Sequence, residues 1–228
     1  MLTVEEIFQK LQQHRRCCSV ATVGGFRPPE DPLTSWFGGN FLSLPEASWP
    51  ATSNGPMVPL LQAVAADTPL WPSGLGEFSV VQLFVDRSTL PLETPAENGE
   101  DWLFRGYRDT STLVRVPDPA PQLRPFPIRW RIEQGDSPSW DDLDGLLDHE
   151  EHSLLATQME RYFDTFTSVY GTKLGGWPSY IQGAPFVGHR FVLQVASEGK
   201  SGWAWGDSGN GYVYRDRSGS HVLHWDCY

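Results

Sequence analysis

The residues of this sequence whose types and spacing could do chemistry are a serine in a glycine-bounded turn, two histidine pairs, two adjacent cysteines and a run of acids. Gly206-Asp207-Ser208-Gly209 has the make-up of a turn that presents a serine nucleophile, and Val23-Gly24-Gly25 is the kind of triplet that opens a mature trypsin-like chain. That mechanism needs a histidine to take the serine proton, some tens of residues beyond the N-terminal triplet. No histidine lies between His14 and His149. The turn therefore reads as structural, with Asp207 accepting backbone N–H groups and Gly209 left-handed. His149 with His152 and His221 with His224 are spaced i, i+3. On a helix the first pair shares one face with Asp148, Glu150 and Glu151 nearby and could hold a divalent ion. It lacks the His-Glu-x-x-His pattern that aims a base at metal-bound water. On a strand the second pair points to opposite faces. Cys17-Cys18 is too short for ordinary chelation, and no glycine-rich phosphate loop precedes a helix. No catalytic residue, metal or cofactor is assigned.

The acidic run carries the most information. From Ile132 to Glu160 there is no Lys or Arg, whereas Glu133, Asp136, Asp141, Asp142, Asp144, Asp148, Glu150, Glu151 and Glu160 all fall inside it. Leucines at helical spacing interrupt the acids, so the run describes an amphipathic surface and not a disordered tail. It reads either as a solvated helical face, with acids placed near helix starts, or as a docking surface for a basic partner. The partner-binding set on the second reading is Asp136, Trp140, Asp141, Asp142, Asp144, Asp148, Glu150 and Glu151, with Trp140 as an aromatic anchor.

The elements that must position these groups follow from periodicity. Thr3-Val4-Glu5-Glu6 is a capping box, and Val4, Ile7, Phe8 and Leu11 continue it as a helix to about Arg16. From 17 to 130, short apolar runs such as Val80–Val85 and Leu113–Val116 are broken by Pro and Gly clusters, as strands joined by turns are. Pro125 and Pro127 should keep Phe126 extended at a sheet edge or outside the ladder. From Ser139 the pattern turns helical through Leu143, Leu146 and Leu147, then Leu155, Met159, Tyr162, Phe163, Phe166 and Val169, with Gly171 as a C-cap. Residues 172 to 228 return to strand-like runs.

Two passes of one motif are visible. Trp36-Phe37-Gly38-Gly39, Leu60-Leu61-Gln62 and Val81 to Asp86 recur as Lys173-Leu174-Gly175-Gly176, Val192-Leu193-Gln194 and Gly211 to Asp216. A glutamine inside an apolar strand must find hydrogen-bond partners, and a pairing of Gln62 with Gln194 could join the halves. Gly38, Gly39 and Gln62, with Leu44-Pro45 and Trp49-Pro50, then Lys173-Leu174-Gly175-Gly176-Trp177-Pro178 through Gln182, Gln194 and Trp205-Gly206-Asp207-Ser208-Gly209, resemble the YwqG-like family of bacterial proteins. The likeness covers roughly 30 to 228 and is strongest after Lys173. The first half departs from the family pattern, since Gly-Gly-x-Pro is stretched here to Gly38 through Pro45. The resemblance implies a duplicated, mainly antiparallel β fold without assigned catalytic residues. Some members resemble immunity proteins encoded beside secreted bacterial toxins.

Composition narrows the partner. A formal net charge of −11 argues against direct nucleic-acid binding and against anionic membranes, and favours a basic partner. Three cysteines, two of them adjacent, make no disulfide framework, and acids at Glu5 and Glu6 stand where a signal peptide is basic. The expectation is a cytoplasmic α+β protein, predominantly antiparallel β, forming a single domain over 1–228. Its pseudo-repeats span about 30–130 and 171–228, with an N-terminal helix and a helical acidic connector at about 136–170. The expected function is an immunity protein that neutralises a basic toxin, a nuclease such as a DNase. The alternative is a small-molecule or peptide binder with a groove between the halves, near Gly176-Trp177 and Trp205-Asp207.

Overall fold

The computed structural model describes residues 2–93, 95–185 and 188–228. After a helix, α1 (Val4–Gln13), a first series of strands runs β1 (Arg16–Val23), β2 (Trp36–Phe37), β3 (Phe41–Ser43), β4 (Ala51–Thr52), β5 (Gly55–Pro56), β6 (Val58–Val64), β7 (Val80–Val85), β8 (Ala96–Glu97) and β9 (Trp102–Tyr107). A short β10 (Val114–Val116) precedes the second series, β11 (Phe126–Asp136), β12 (Lys173–Gly175), β13 (Arg190–Ala196), β14 (Asn210–Arg215) and β15 (His221–Asp226). Between β11 and β12 lie a 3-10 segment (Trp140–Gly145) and two short helices, α2 (His149–Ala156) and α3 (Met159–Thr165). The fold is α+β and mostly antiparallel β.

Among the described residues, eleven strands form one sheet in the order β8-β15-β14-β13-β12-β1-β11-β2-β6-β7-β9. Apart from β8, the order is symmetric about the β1–β11 pair. β1 of the first series pairs with β12 of the second, β11 of the second pairs with β2 of the first, and β1 and β11 pair with each other. Each half is thus completed by a strand from the other. The registers repeat residue for residue: Trp36, Gln62, Gln82 and Arg105 stand side by side in one half, as Lys173, Gln194, Tyr212 and His224 do in the other. Even the irregularities agree, with shifts between Pro59 and Leu61 and between Phe191 and Leu193. The repeat reaches back to β1 in the first pass and to β11 in the second, upstream of the motifs that reveal it.

Alternate residues of these strands point inward. Phe37, Leu61, Leu83 and Phe104 meet Leu174, Leu193, Val213 and Leu223 in one core. The ends of the sheet also meet. Ala96 and Glu97 add to β15, while Asn98 binds the backbone of Phe104 in β9, accepting from its N–H at 2.7 Å and donating to its carbonyl at 3.1 Å. This near-closure leaves little of the large sheet's edge open to template aggregation.

The double glycines are a direct consequence of strand exchange. A Cβ on Gly39 would sit 2.5 Å from Cβ of Pro125, the residue before β11, and one on Gly176 would overlap Asp136 Oδ2 and sit 2.9 Å from Cys18 Cβ of β1. Both residues have positive φ, +90° and +77°. Each turn is therefore packed tightly on the β1–β11 centre of the sheet, where only glycine fits.

The two glutamines also do one job twice, although they do not bond to each other as the sequence suggested. Gln62 accepts from Leu42 N–H (2.8 Å) and donates to Thr34 C=O (2.9 Å). Gln194 accepts from Ser179 N–H (2.8 Å) and donates to Gly171 C=O (2.9 Å). Each ties the loops entering and leaving the Gly-Gly turn of its own half, satisfying backbone groups that would otherwise be buried unpaired.

Other expectations need correction. Pro127 lies in the central strand β11, opposite Trp36. The missing N–H falls beyond the end of β1, where the ladder stops, and the Pro127 carbonyl still accepts from Gly24 N–H (2.9 Å). The helical region is broken at residues 157–158, and α3 ends at Thr165 with Phe166 as its C-cap, so Gly171 is not the cap of that helix. In the 206–209 turn Gly206 and Ser208 have positive φ, not Gly209. Gly209 is required instead because Asp226 C=O occupies the place of its Cβ. Asp207 is exposed and offers its backbone carbonyl to Tyr228 N–H at 3.2 Å.

Gly176→Ala should cost about 3 kcal/mol or more, because strain and overlap with Cys18 and Asp136 add. Gly99→Ala, also at positive φ but with no heavy atom within 4 Å of the added methyl, should cost only about 1–2 kcal/mol. Urea melts of the two variants check this, and equal losses would contradict the strand-contact explanation.

Candidate functional site

One of the positions at which the halves differ carries a buried charge: Lys173 stands where the first half has Trp36. Lys173 and its partner Asp136 are both wholly buried. The ammonium donates to Asp136 Oδ2 (3.0 Å), Ser179 Oγ (3.1 Å) and the carbonyl of Val169. Asp136 in turn accepts from Val169 N–H (2.7 Å) and Trp177 N–H (2.8 Å). Burial lowers the Lys173 pKa while Asp136 opposes the shift. The pair binds the end of β11, the loop after α3 and the Gly-Gly turn into one unit.

The helical connector packs on this unit through a second core of Ile7, Phe8 and Leu11 from α1 with Leu143, Leu155, Tyr162 and Phe166. Tyr162 donates to Pro138 C=O (2.7 Å), and Trp140 packs edge-on against both Tyr162 and His152. Lys10–Glu151 (2.6 Å) and Arg161–Glu5 (2.7 Å) ion pairs tie the layer together. Its effect is to hold the 140–145 segment beside the second Gly-Gly turn.

Between them opens a cleft of about 840 Å³. It is lined by Arg16 and Cys17 of β1, Trp71 to Ser73, Asp141, Asp142 and Asp144, Gly175 to Pro178, Tyr180, His189, Arg190, Phe191 and Tyr214. Gly175 and Gly176 leave that stretch of the lining without side chains. Arg16 stacks its guanidinium on the Trp177 ring (3.4 Å to the centroid) and donates to Gly176 C=O (3.3 Å). Trp177 Nε1–H is anchored on His14 C=O at 2.8 Å. Arg190 donates to Ser73 Oγ. Tyr214 and Tyr180 share a hydroxyl hydrogen bond of 2.8 Å. Asp142 accepts from the Ser139 N–H (2.9 Å) and hydroxyl (2.8 Å), yet burial pushes its pKa up to about 6.

The acids separate into three roles. Asp136 is withdrawn from the surface as the counter-ion of Lys173. Glu151 is buried, paired with Lys10 and closing the α2 capping box with Asp148. Neither is presented to a partner as the sequence suggested, and Trp140 is half-buried in the connector core. Asp141, Asp144, Asp148 and Glu150 are exposed, and Asp142 is partly so. Of these, the three aspartates of the 140–145 segment reach the cleft.

The family-type residues divide likewise. Gly175, Gly176, Trp177 and Pro178 line the cleft, whereas Trp205, Gly206, Asp207 and Gly209 do not. Trp205 is fully buried between Trp203 and Trp225. Gln182 donates through its backbone to Asp226 (3.1 Å) and through its side chain to Cys227 C=O (2.5 Å). The groove expected from the sequence therefore keeps its Gly176-Trp177 end and loses its Trp205-Asp207 end. Arg16, Trp71, Tyr180 and Arg190 were missed, and only their places beside the Gly-Gly motif and at strand starts could have pointed to them.

The histidines are placed as separate surface and packing groups. His149 is exposed, and His152 faces Asp144 at 3.7 Å. His221 stacks on Phe104 (4.1 Å between centroids), and burial pushes its pKa down to about 4, so it is neutral at pH 7. Among the described residues, no three His, Cys, Asp or Glu side chains are grouped as a metal site requires.

A family model described as a domain of unknown function, DUF1963, matches residues 35–220. No curated protein sequence matches the chain significantly.

Lys173→Met should destabilise the protein by about 3–5 kcal/mol, since it leaves a buried carboxylate without its cation. A denaturation midpoint close to that of the parent would remove the pair from its central place. Asp142 yields a pH test. Its folded pKa of about 6 lies above the roughly 3.9 of an unfolded Asp. The stability it contributes is complete below the unfolded value and lost as pH rises through the folded one. Asp142→Asn should therefore gain on the parent as pH is raised from 4 to 7, read as melting temperature, and a constant difference would contradict the burial.

Proposed function

We propose that this chain, which belongs to the DUF1963 family, is a binding protein that holds a segment of a basic partner in the Gly176 cleft. The observation that carries the reading is an open cleft of about 840 Å³ into which the acidic 140–145 segment is held by a dedicated helical layer. The groups it gathers are those of recognition: guanidiniums, carboxylates and aromatic faces from separate elements. The net charge of −11 supplies a field that draws a cationic partner in.

The partner we propose is a toxin, and the activity its neutralisation. The support for this step is the YwqG-like resemblance of the Gly-Gly and Gln motifs, together with the acidity. A basic nuclease fits, because an acidic segment can compete with phosphates for its cationic surface. Such a protein acts where the toxin does damage, and we place it in the cytoplasm. Among the described residues no helix is long and apolar enough to cross a membrane.

A second reading is a short ligand bound in the same cleft, favoured by a volume within the roughly 300–1,000 Å³ of small-ligand sites.

The test is capture of partners from a lysate of the source organism at low salt, by the parent and by a variant carrying Asp141→Lys and Asp144→Lys. Both positions are exposed, so the fold should survive. The parent should retain one basic protein whose toxicity it suppresses. The variant should associate about tenfold more slowly or worse, with a flatter salt dependence. Equal association rates would remove the acidic segment from the interface.

A further inference from the structure

Two arginines enter the cleft at the end of the sheet where β12 turns. Arg16 begins β1 and Arg190 begins β13, the strands flanking β12, so their backbones lie about two strand spacings, or 10 Å, apart. The turn between them is Gly175-Gly176, which offers no side chain to fill the gap. Neither guanidinium has a salt-bridge partner among the described residues. Arg16 is held by Trp177 and Gly176 C=O, and Arg190 by Ser73. All of these anchors are neutral. Asp142 and Asp136 act on Arg16 only from beyond ion-pair distance, so two like charges are held by neutral groups on the wall of the cleft, an arrangement that a planar anion completes.

The remaining charges decide which anion. Asp141, Asp142 and Asp144 line the same cleft, so two cations stand against three carboxylates and the lining is net negative when all are ionised. A phosphate dianion would enter against that balance. A ligand with one carboxylate and one cation matches both sets, and the rings of Trp71 and Phe191 offer apolar faces for what lies between.

We infer that the cleft takes the C-terminal end of a peptide that finishes in a basic residue: the free carboxylate on Arg16 and Arg190, the basic side chain on Asp141 and Asp144. The assignment rests on the reading of this cleft as the binding site and names the part of the partner that enters it, its C-terminal segment.

Calorimetric titration of the whole protein with three probes tests it: N-acetyl-Gly-Gly-Arg with a free carboxylate, the same peptide as its C-terminal amide, and L-arginine. The acid should bind at least tenfold more tightly than the amide, the usual weight of a charge-assisted hydrogen bond. Arg190→Gln, at an exposed position, should bring the acid down to the level of the amide, leave the amide unchanged and melt at the parent temperature. Equal binding of acid and amide, or an acid indifferent to Arg190→Gln, overturns the carboxylate site. L-arginine binding as tightly as the peptide overturns the chain-end assignment, and inorganic phosphate displacing the acid at equal concentration overturns the choice of anion. A protein that captures a partner through Asp141 and Asp144 but ignores all three probes overturns this inference alone. Absence of any acid-dependent capture removes the reading beneath it.

Discussion

The exchange of β1 and β11 between the halves is the constraint on which the rest of the structure depends. The exchanged pair β1–β11 and the residue leading into it pass close to the turns that follow β2 and β12, and with the Asp136 carboxylate they leave no room for a side chain at Gly39 or Gly176. A turn made of glycine has little to hold it, so each half adds a buried glutamine that ties down the chain on both sides of it. The Gly-Gly and Gln signatures are therefore two parts of one device, required by the pairing of strands and independent of any ligand.

The duplicated halves then diverge. In the first, the residues after the turn are absorbed into packing: Phe41 stacks edge-on with Phe84, and Leu42 joins Val64 and Val80. In the second, a lysine replaces the tryptophan of β2, and a helical connector is inserted between β11 and β12. The buried Lys173–Asp136 pair welds that connector to the turn. A buried ion pair is weak evidence for net stability, because desolvation offsets most of the attraction. What it provides here is position, joining three chain segments around the cleft.

Much of the frame was legible in the sequence. The repeat, the antiparallel class, α1 and the structural character of the double glycines all follow from local pattern, and the registers place Gln62 on Gln194 as the motifs aligned them. The exchange was not legible, because it pairs residues from 89 positions apart (Phe37 with Phe126) to 157 apart (Cys18 with Gly175), and Pro125 and Pro127 argued for an edge. Nor could spacing separate Asp136 and Glu151 from the acids around them. Their partners, Lys173 and Lys10, lie 37 and 141 residues away. A lone lysine at the start of an apolar Leu-Gly-Gly strand was the one available hint of a buried acid. Arg16 and Arg190 carry no such local mark, since only the sheet brings them to the same cleft.

The central claim is that the partner sits in the Gly176 cleft. Cys17 lines that cleft and is exposed, Cys18 beside it is buried, and Cys227 lies outside the lining. Iodoacetamide alkylation of the free protein and of its complex with the captured partner, read cysteine by cysteine by mass spectrometry, locates the contact. Strong protection of Cys17 with an unchanged rate at Cys227 is the predicted result. A Cys17 that reacts equally fast in both would place the partner elsewhere and contradict the account.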